Sequence, residues 1–198
     1  IDCIGLEAAP NRLNDYAKWG FKKSSVTNRW KLYGFQDLPK TNFYIDDLSK
    51  FKVVLGKQIS SEQVLIYDSQ RELSPRPHFL NDWLQNSVGI VKSVIDENDM
   101  CHGFGRIRPC ILPHNQRGWR IGPLLADTPP IAELLIRELV KGLENQILLD
   151  CPSLNPYSNY LLSNLGFTII SKTYRMYKGN QPPCPMNQVY GLACLEIG

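Results

Sequence analysis

Residues 147–167 read ILLDCPSLNPYSNYLLSNLGF, and residues 4–21 read IGLEAAPNRLNDYAKWGF, so one local pattern occurs at both ends of the chain. Each stretch is an apolar run typical of a strand, then a capped helix, then Gly-Phe opening another strand-like run. The glycine is the residue type that most readily ends a helix. The repetition predicts two copies of a strand–helix–strand unit, one in residues 1–33 and one near the C-terminus.

A helix at residues 127–143, DTPPIAELLIRELVKGL, is the clearest element between the two copies, because its apolar residues recur on one face. Asp127 or Thr128 can cap this helix, and Pro129 suits its first position. Gly142 can end it. The stretch therefore predicts a complete, well-delimited helix that covers one face of a sheet.

The pattern from residue 60 onward predicts the order α-α-β-β-β-α-β-α-β-β, in which the last strand is VYGLACLEI. Residues 43–56 fit a short strand and a helical turn, and GFQDLPKTN fits a linker. This order predicts a mixed, α+β-like α/β fold, in which helices flank a central mixed sheet on both faces.

Composition bounds the function. The chain has 198 residues, is 43% hydrophobic and 21% charged, and carries a net charge of +3 with its basic residues scattered. These values predict a globular protein with no nucleic-acid partner and no membrane attachment. No apolar run has the length of a membrane span, and the first residues lack the features of a signal peptide. The absence of an initiator Met indicates a fragment or a processed chain.

Six cysteines are present, at positions 3, 101, 110, 151, 184 and 194, and none forms a Cys-x-x-Cys pair. Most lie in apolar runs, which favours buried free thiols over a disulfide framework and predicts a cytoplasmic protein. No spacing of His, Cys and Asp matches a zinc site, so no metal is expected.

Five pieces occur in one order over residues 103–198: GFGRIRPC, GWRIGPLLAD with a helix behind it, ILLDCPSLNPYSNYLLSNLGF, TYRMYKG and VYGLACLEIG. This order resembles that of the GNAT N-acetyltransferase superfamily, and more closely the C-terminal acetyltransferase-type domain of two-domain GNAT proteins. The resemblance implies a GNAT-like domain at residues 38–198. It also implies that residues 1–37 are the C-terminal remnant of a preceding GNAT-like domain plus a linker.

The resemblance implies an acyl-CoA site in a V-shaped split between the fourth and fifth strands of the domain. The pyrophosphate would lie on the loop that opens the following helix, where free N–H groups and the helix dipole bind phosphate. The cofactor-binding residues implied for acetyl-CoA are Leu124, Leu125, Ala126, Asp127, Thr128 and Asn155. This loop departs from the family, because LLADTPPIAE lacks glycine, and Pro129 and Pro130 have no N–H to donate.

The roles of the loop, of Asn155 and of the acceptor's base each stay open. The loop is either a phosphate-binding loop or only a capped helix start, and Arg117 or Arg120 can reach an anionic cofactor. Asn155 matches a cofactor-contacting Asn of the family, or it caps the helix before Pro156. The acceptor's base is unassigned among Asp127, Asp150 and Glu196.

The fourth residue before the Gly of Gly-Phe is often a tyrosine in GNAT enzymes, where its hydroxyl protonates the CoA thiolate. That residue is Leu162 in the second copy and Tyr16 in the first. The resemblance therefore implies Tyr16 as the catalytic general acid, acting on an acyl-CoA held by a preceding domain.

Three functions remain in competition. The first is an acyl-CoA-dependent N-acetyltransferase that uses acetyl-CoA to acylate a small-molecule or protein amine. The second is a catalytically silent GNAT-like binding or scaffold domain that supports an upstream acetyltransferase domain; a sensor that binds CoA without turnover is a third. Self-association into a homo-oligomer is compatible with the sequence. Burial of the apolar run CIGL predicts that the N-terminal segment docks on the domain, for which a sheet edge is one place.

Overall fold

The computed structural model describes residues 2–33, 38–39, 41, 48–72, 75–181 and 183–195. The first repeat consists of β1 (Cys3–Ala8), α1 (Leu13–Lys18) and β2 (Lys22–Leu32). The second repeat consists of β7 (Gln146–Pro152), α5 (Ser158–Asn164) and β8 (Thr168–Gly179). Between the repeats lie β3 (Lys52–Leu55), α2 (Ser61–Ser69), α3 (Pro77–Gln85), β4 (Ile90–Ile95), β5 (Cys101–Ile111), β6 (Arg117–Ala126) and α4 (Pro129–Val140). The last strand is β9 (Val189–Gly191).

The predicted order of elements from residue 60 is confirmed, and the differences lie at the ends of elements. The expected last strand is shorter than VYGLACLEI, because only Val189–Gly191 pairs, and Glu196 lies outside the described residues. Helix α4 ends at Val140, and Gly142 follows it with φ +76°, a left-handed conformation that glycine adopts at helix ends. The expected helical turn is Leu48–Lys50, while most of the expected linker lies outside the described residues.

The described strands form one nine-stranded mixed sheet in the order β1-β8-β2-β7-β6-β5-β4-β3, with β9 paired to β6. Strands β3 to β6 form an antiparallel meander, and β6 and β7 are parallel. Helices α4 and α5 pack on one face through a buried cluster that includes Leu135 and Leu161. Helices α2 and α3 cover the other face through Val64 and Leu80. The predicted mixed α/β class, with helices on both faces, is confirmed.

The N-terminal segment docks on the sheet in an exchanged arrangement. Strand β1 takes the outer edge, but β2 lies inside the sheet, between β7 and β8. Thr27 of β2 pairs with Thr173 of β8, and these two residues are equivalent in the two repeats. Each repeat therefore inserts its second strand between the two strands of the other, with a local twofold relation between them.

Two ion pairs repeat this relation in side chains. Arg29 lies opposite Asp150 and binds it in a bidentate pair at 2.7 and 3.0 Å. The equivalent Arg175 lies opposite Glu7, and its Nε is 3.1 Å from Glu7 Oε1. Both carboxylates are buried, so each repeat supplies the cation that neutralises a buried anion of the other.

Candidate functional site

The split implied by the resemblance lies between β6 and β7. These strands pair in parallel only from Gly118 to Ile121 of β6 and from Gln146 to Leu149 of β7. Beyond Ile121 they diverge, at a cis peptide bond between Gly122 and Pro123. The remainder of β6 keeps its pairing with β5 on the other side, so a wedge-shaped gap opens at this end of the sheet.

The chain's own residues 189–192, here called the inserted segment, fill this gap. Leu124 of β6 pairs with Gly191, Leu125 pairs with Val189, and the Leu192 N–H donates to the Asp150 carbonyl of β7 at 2.9 Å. Residues 189–192 thus satisfy backbone groups on both walls of the split, a role that an extended ligand would otherwise take.

Two glycines permit this close approach. A Cβ on Gly191 would lie 2.8 Å from Leu149 Cδ1 and 3.1 Å from Leu124 Cβ. A Cβ on Gly122 would lie 2.1 Å from the Leu192 carbonyl oxygen. A side chain at either position would collide with these atoms, so both glycines fit a split that holds residues 189–192.

Asn155 fastens the inserted segment. Its side chain is buried, its Nδ2 donates to the Val189 carbonyl at 3.0 Å, and its Oδ1 accepts from the Tyr157 N–H at 3.0 Å. The second contact caps the turn that leads into α5, which is the alternative considered from sequence. Its polar atoms bind the chain itself, and a cofactor contact by Asn155 stays a prediction.

The predicted phosphate loop divides into two parts. Leu124, Leu125 and Ala126 are fully buried core residues of β6. Thr128 stands at the start of α4 and makes no side-chain capping bond, while the Asp127 N–H donates to the His102 carbonyl. Because Pro129 and its neighbour Pro130 add no N–H, the loop offers few of the donors that a pyrophosphate requires.

The Asp127 side chain is the centre of a polar cluster that the sequence did not reveal. Its Oδ1 accepts from the Tyr67 hydroxyl at 2.7 Å and from the Arg71 guanidinium at 2.6 Å, and its Oδ2 lies 2.9 Å from His102 Nδ1. The other ring nitrogen of His102 lies 3.3 Å from Asp96. Burial and the adjacent Asp127 charge raise the pKa of the Tyr67 phenol, so it remains a donor. Asp127 therefore does not cap α4 but joins α2, β5 and the start of α4.

The charge of this cluster opposes the cofactor role predicted for residues 124–128. A carboxylate stands at the start of α4, where the resemblance implies a pyrophosphate. Its donors, Tyr67, Arg71 and His102, are already directed at that carboxylate. An added diphosphate would meet a like charge with its best partners occupied.

The two candidate positions for the general acid lie in different surroundings. Leu162 is fully buried in the core below α5, while Tyr157, which directly precedes this helix, and Tyr160, which lies on it, are exposed. Tyr16 is half-buried on α1 and makes edge-to-face contacts with Trp19 and Phe21, at centroid distances of 5.7 and 6.2 Å. Strand β1, which precedes α1, is four strand positions from β6, or roughly 19 Å. Tyr16 and the loop at 124–128 therefore belong to separate places.

Other candidate groups are engaged or protonated. Asp150, considered as a base, is held by Arg29. The six cysteines all lie within the described residues and form no disulfide, and Cys151 is fully buried while the other five are partly exposed. Burial raises the pKa of Cys101 to about 11 and that of Cys151 to about 12, which keeps both thiols protonated at neutral pH. Among the described residues, no cluster of three or more His, Cys, Asp or Glu could hold a metal ion, and no helix could cross a membrane.

Proteins of known sequence and known structure are similar to this chain. Over 199 aligned residues, the chain is 27% identical to the holothin acyltransferase of Pseudoalteromonas sp. (strain SANK 73390), covering 98% of this chain and 62% of that protein. A putative acetyltransferase from Pyrococcus horikoshii matches with a TM-score of 0.76 and 21% identity, over 100% of this chain and 60% of its own. A GCN5-related N-acetyltransferase from Anabaena variabilis matches with a TM-score of 0.55 and 16% identity, over 89% of this chain and 45% of its own. The chain thus spans less than two thirds of each of these relatives.

A family model described as an acetyltransferase (GNAT) domain matches residues 64–191, from α2 to the end of β9. The match includes the split, the loop before α4 and residues 189–191 of the inserted segment. This chain belongs to the GNAT acetyltransferase family.

Proposed function

We propose that the protein is an acyl-CoA-dependent N-acetyltransferase acting on a small-molecule or protein amine, and that its acetyl-CoA does not bind between β6 and β7. Membership of the family and the likeness to a protein named as an acyltransferase support the first part. One observation carries the second part: residues 189–192 fill the split and bond to both of its walls.

A cofactor entering that split would have to displace a folded strand. The pairing of Leu124 and Leu125 with β9 would break, along with the bond from the Leu192 N–H to Asp150. The buried side chains of Val189 and Leu192 would return to water. The diphosphate would also approach the Asp127 carboxylate. These penalties all act on the same binding event.

We place the acetyl-CoA site instead at the outer edge of β1, beside α1. Strand β1 is equivalent to β7, and the outer neighbour of β7 is the parallel strand β6. Among the described strands, β1 pairs with β8 alone, so its other edge is open. We infer that a strand from the further length seen in the relatives pairs with β1 in parallel, forming a second split. In that arrangement the protein contains two GNAT-like domains, and residues 1–37 complete the first.

The chemistry in this site would be direct acyl transfer. The neutral amine nitrogen of the acceptor attacks the thioester carbonyl, the new C–N bond forms, and the C–S bond breaks. A base takes the proton from the acceptor nitrogen, and the Tyr16 hydroxyl donates its proton to the departing thiolate. The half-buried position of Tyr16 against Trp19 and Phe21 fixes its ring while leaving part of it accessible.

A second candidate is the silent binding or scaffold domain. The filled split and the buried Leu162 favour it for the region that the family model matches. In that case the chain would support an acetyltransferase domain without contributing a catalytic group, and Tyr16 would serve only in packing.

Hydrogen exchange with and without saturating acetyl-CoA separates these possibilities, in the longest polypeptide that contains this chain. We expect acetyl-CoA to slow amide exchange in residues 3–8 and to leave residues 189–192 as protected as before. Faster exchange at residues 189–192 would mean that the cofactor enters the split by displacing β9. Failure to bind millimolar acetyl-CoA would refute the acetyltransferase and favour the scaffold.

Turnover tests the role of Tyr16. Tyr16→Phe keeps the aromatic packing and removes only the hydroxyl, so we expect kcat to fall about 100-fold or more, within the range of general acid catalysis. Tyr160→Phe is the matched control, because Tyr160 lies exposed on the equivalent helix of the second repeat. Equal kcat in the two variants would remove Tyr16 from the mechanism.

A further inference from the structure

A cavity of about 320 Å³ lies on the face covered by α3, beside the split. It is lined by Trp83, Asn86, Val88, Arg106, Arg108, Pro109, Arg120 and Cys194. Three of these eight residues are arginines and none is acidic. A concave site of this size that combines an aromatic wall with several cations is typical of a small-molecule pocket.

Arg106 is the most buried of the three arginines, with 2% of its surface exposed. One guanidinium nitrogen donates to the Val88 carbonyl, but the Nε has no hydrogen-bond partner among the described residues. The guanidinium lies 4.7 Å from the centroid of the Trp83 ring. A buried cation with incomplete hydrogen bonding is costly unless an anion completes its environment.

The surroundings of Arg106 increase this cost. The Arg108 guanidinium is 4.9 Å from the centroid of the same Trp83 ring, which brings two like charges together. Burial and this neighbouring charge lower the pKa of Arg106. Arg120 approaches Asp150 only at 3.9 Å, and that carboxylate is already bound in bidentate fashion by Arg29. Arg106 and Arg120 therefore bring more positive charge to the wall of the cavity than Asp150, which also binds Arg29, can balance.

We propose that this cavity binds a small molecule bearing an oxyanion group, a carboxylate or a phosphate. The planar guanidinium groups of Arg106 and Arg120 match the geometry of such a group, and guanidinium–oxyanion bonds are among the stronger hydrogen bonds in proteins. Val88, Pro109 and the Trp83 ring offer apolar surface to the rest of the ligand. The proposal does not depend on where acetyl-CoA binds.

Calorimetric titration of the whole chain tests this site with three probes: sodium benzoate, inorganic phosphate and benzamide. Benzamide has the shape of benzoate without its charge. We expect one of the two anions to bind with 1:1 stoichiometry and at least tenfold more tightly than benzamide. Preference for benzoate identifies a carboxylate ligand, and preference for phosphate identifies a phosphorylated one.

Variants locate the binding. Arg106→Gln and Arg120→Gln should each weaken binding of the preferred anion at least tenfold. Arg120 is more exposed than Arg106, so we expect its variant to perturb the fold less. Lys141→Gln removes an exposed charge at the end of α4 and should leave binding unchanged. Unchanged binding in both arginine variants would overturn the assignment.

Glu196→Gln provides the remaining control, because residues 196–198 follow the cavity-lining Cys194 and lie outside the described residues. Anion binding that is absent in the wild type and gained in Glu196→Gln would show that the chain's own carboxylate occupies the cavity. That result, or tight binding of neither anion in both proteins, would refute an external ligand.

Discussion

Replacing Asn155 by alanine separates a structural role of this residue from a cofactor-binding role. Asn155 is 1% exposed, donates to the Val189 carbonyl and caps the Tyr157 N–H. Removal of the amide leaves the buried Val189 carbonyl unsatisfied, which costs about 1–3 kcal/mol. Loss of the cap adds about 1 kcal/mol. We expect Asn155→Ala to lower the free energy of unfolding by about 2–4 kcal/mol in total.

Urea unfolding and calorimetry measure this loss. For a chain of this size the melting temperature should fall by roughly 4–16 °C. Hydrogen exchange should rise in residues 189–192, because the fastening contact is gone, while acetyl-CoA affinity should not change. Asn159→Ala is the matched control on the exposed side of α5, with an expected change within about 0.5 kcal/mol. A large loss of acetyl-CoA affinity with unchanged stability would contradict the structural role and restore Asn155 as a cofactor ligand.

Three further predictions concern stability. Arg29→Met leaves the buried Asp150 carboxylate without its bidentate partner, so the free energy of unfolding in urea should fall by about 3–5 kcal/mol. Adding Asp150→Asn to this variant removes the unpaired charge and should restore part of the loss. A double variant with no recovery would contradict this account. Burial raises the pKa of Glu72 from 4.5 to about 7, so the folded state holds its proton more tightly and stability falls as pH rises between these values. The free energy of unfolding of Glu72→Gln should therefore equal that of the wild type at pH 4 and exceed it by up to about 3 kcal/mol at pH 8. If the two proteins lost stability in parallel over this pH range, the raised pKa would be refuted. Gly191→Ala places a methyl group 2.8 Å from Leu149 Cδ1 and should destabilise by about 1–3 kcal/mol in calorimetry, whereas a neutral effect would mean that β9 is loosely held.

The repeated pattern was visible in sequence because it is local. Alternation, helix caps and the Gly-Phe boundary each depend on a few neighbouring residues, and they placed β1, α1, β7 and α5 correctly. The exchange of β2 between the repeats was not visible, because strand partners are separated by more than a hundred residues. The one trace of the exchange in the sequence is that Thr27 and Arg29 have the same spacing as Thr173 and Arg175. That spacing can be interpreted only when the strand register is known.

The candidate site was less predictable for the same reason. The missing glycines and the prolines of the loop could be read directly, and they indicated a weak phosphate site. The cluster around Asp127 draws Tyr67 and Arg71 from α2 and the turn after it, and His102 from β5. Tyr67 and Arg71 are four residues apart, a spacing that predicts neighbouring side chains on a helix, but the spacing does not identify Asp127 as their shared partner.

The inserted segment also sets a quantitative limit on cofactor binding between β6 and β7. Val189 and Leu192 are 2% and 5% exposed, and returning such side chains to water costs about 1.5–3 kcal/mol each. Displacement of both would therefore weaken an acyl-CoA bound in that split by about 3–6 kcal/mol, or roughly 10²–10⁴-fold in apparent affinity. The open edge of β1 requires no such displacement. If the split proposed at β1 and the split between β6 and β7 were equally able to bind the cofactor in other respects, this difference alone would direct nearly all of the cofactor to the proposed site.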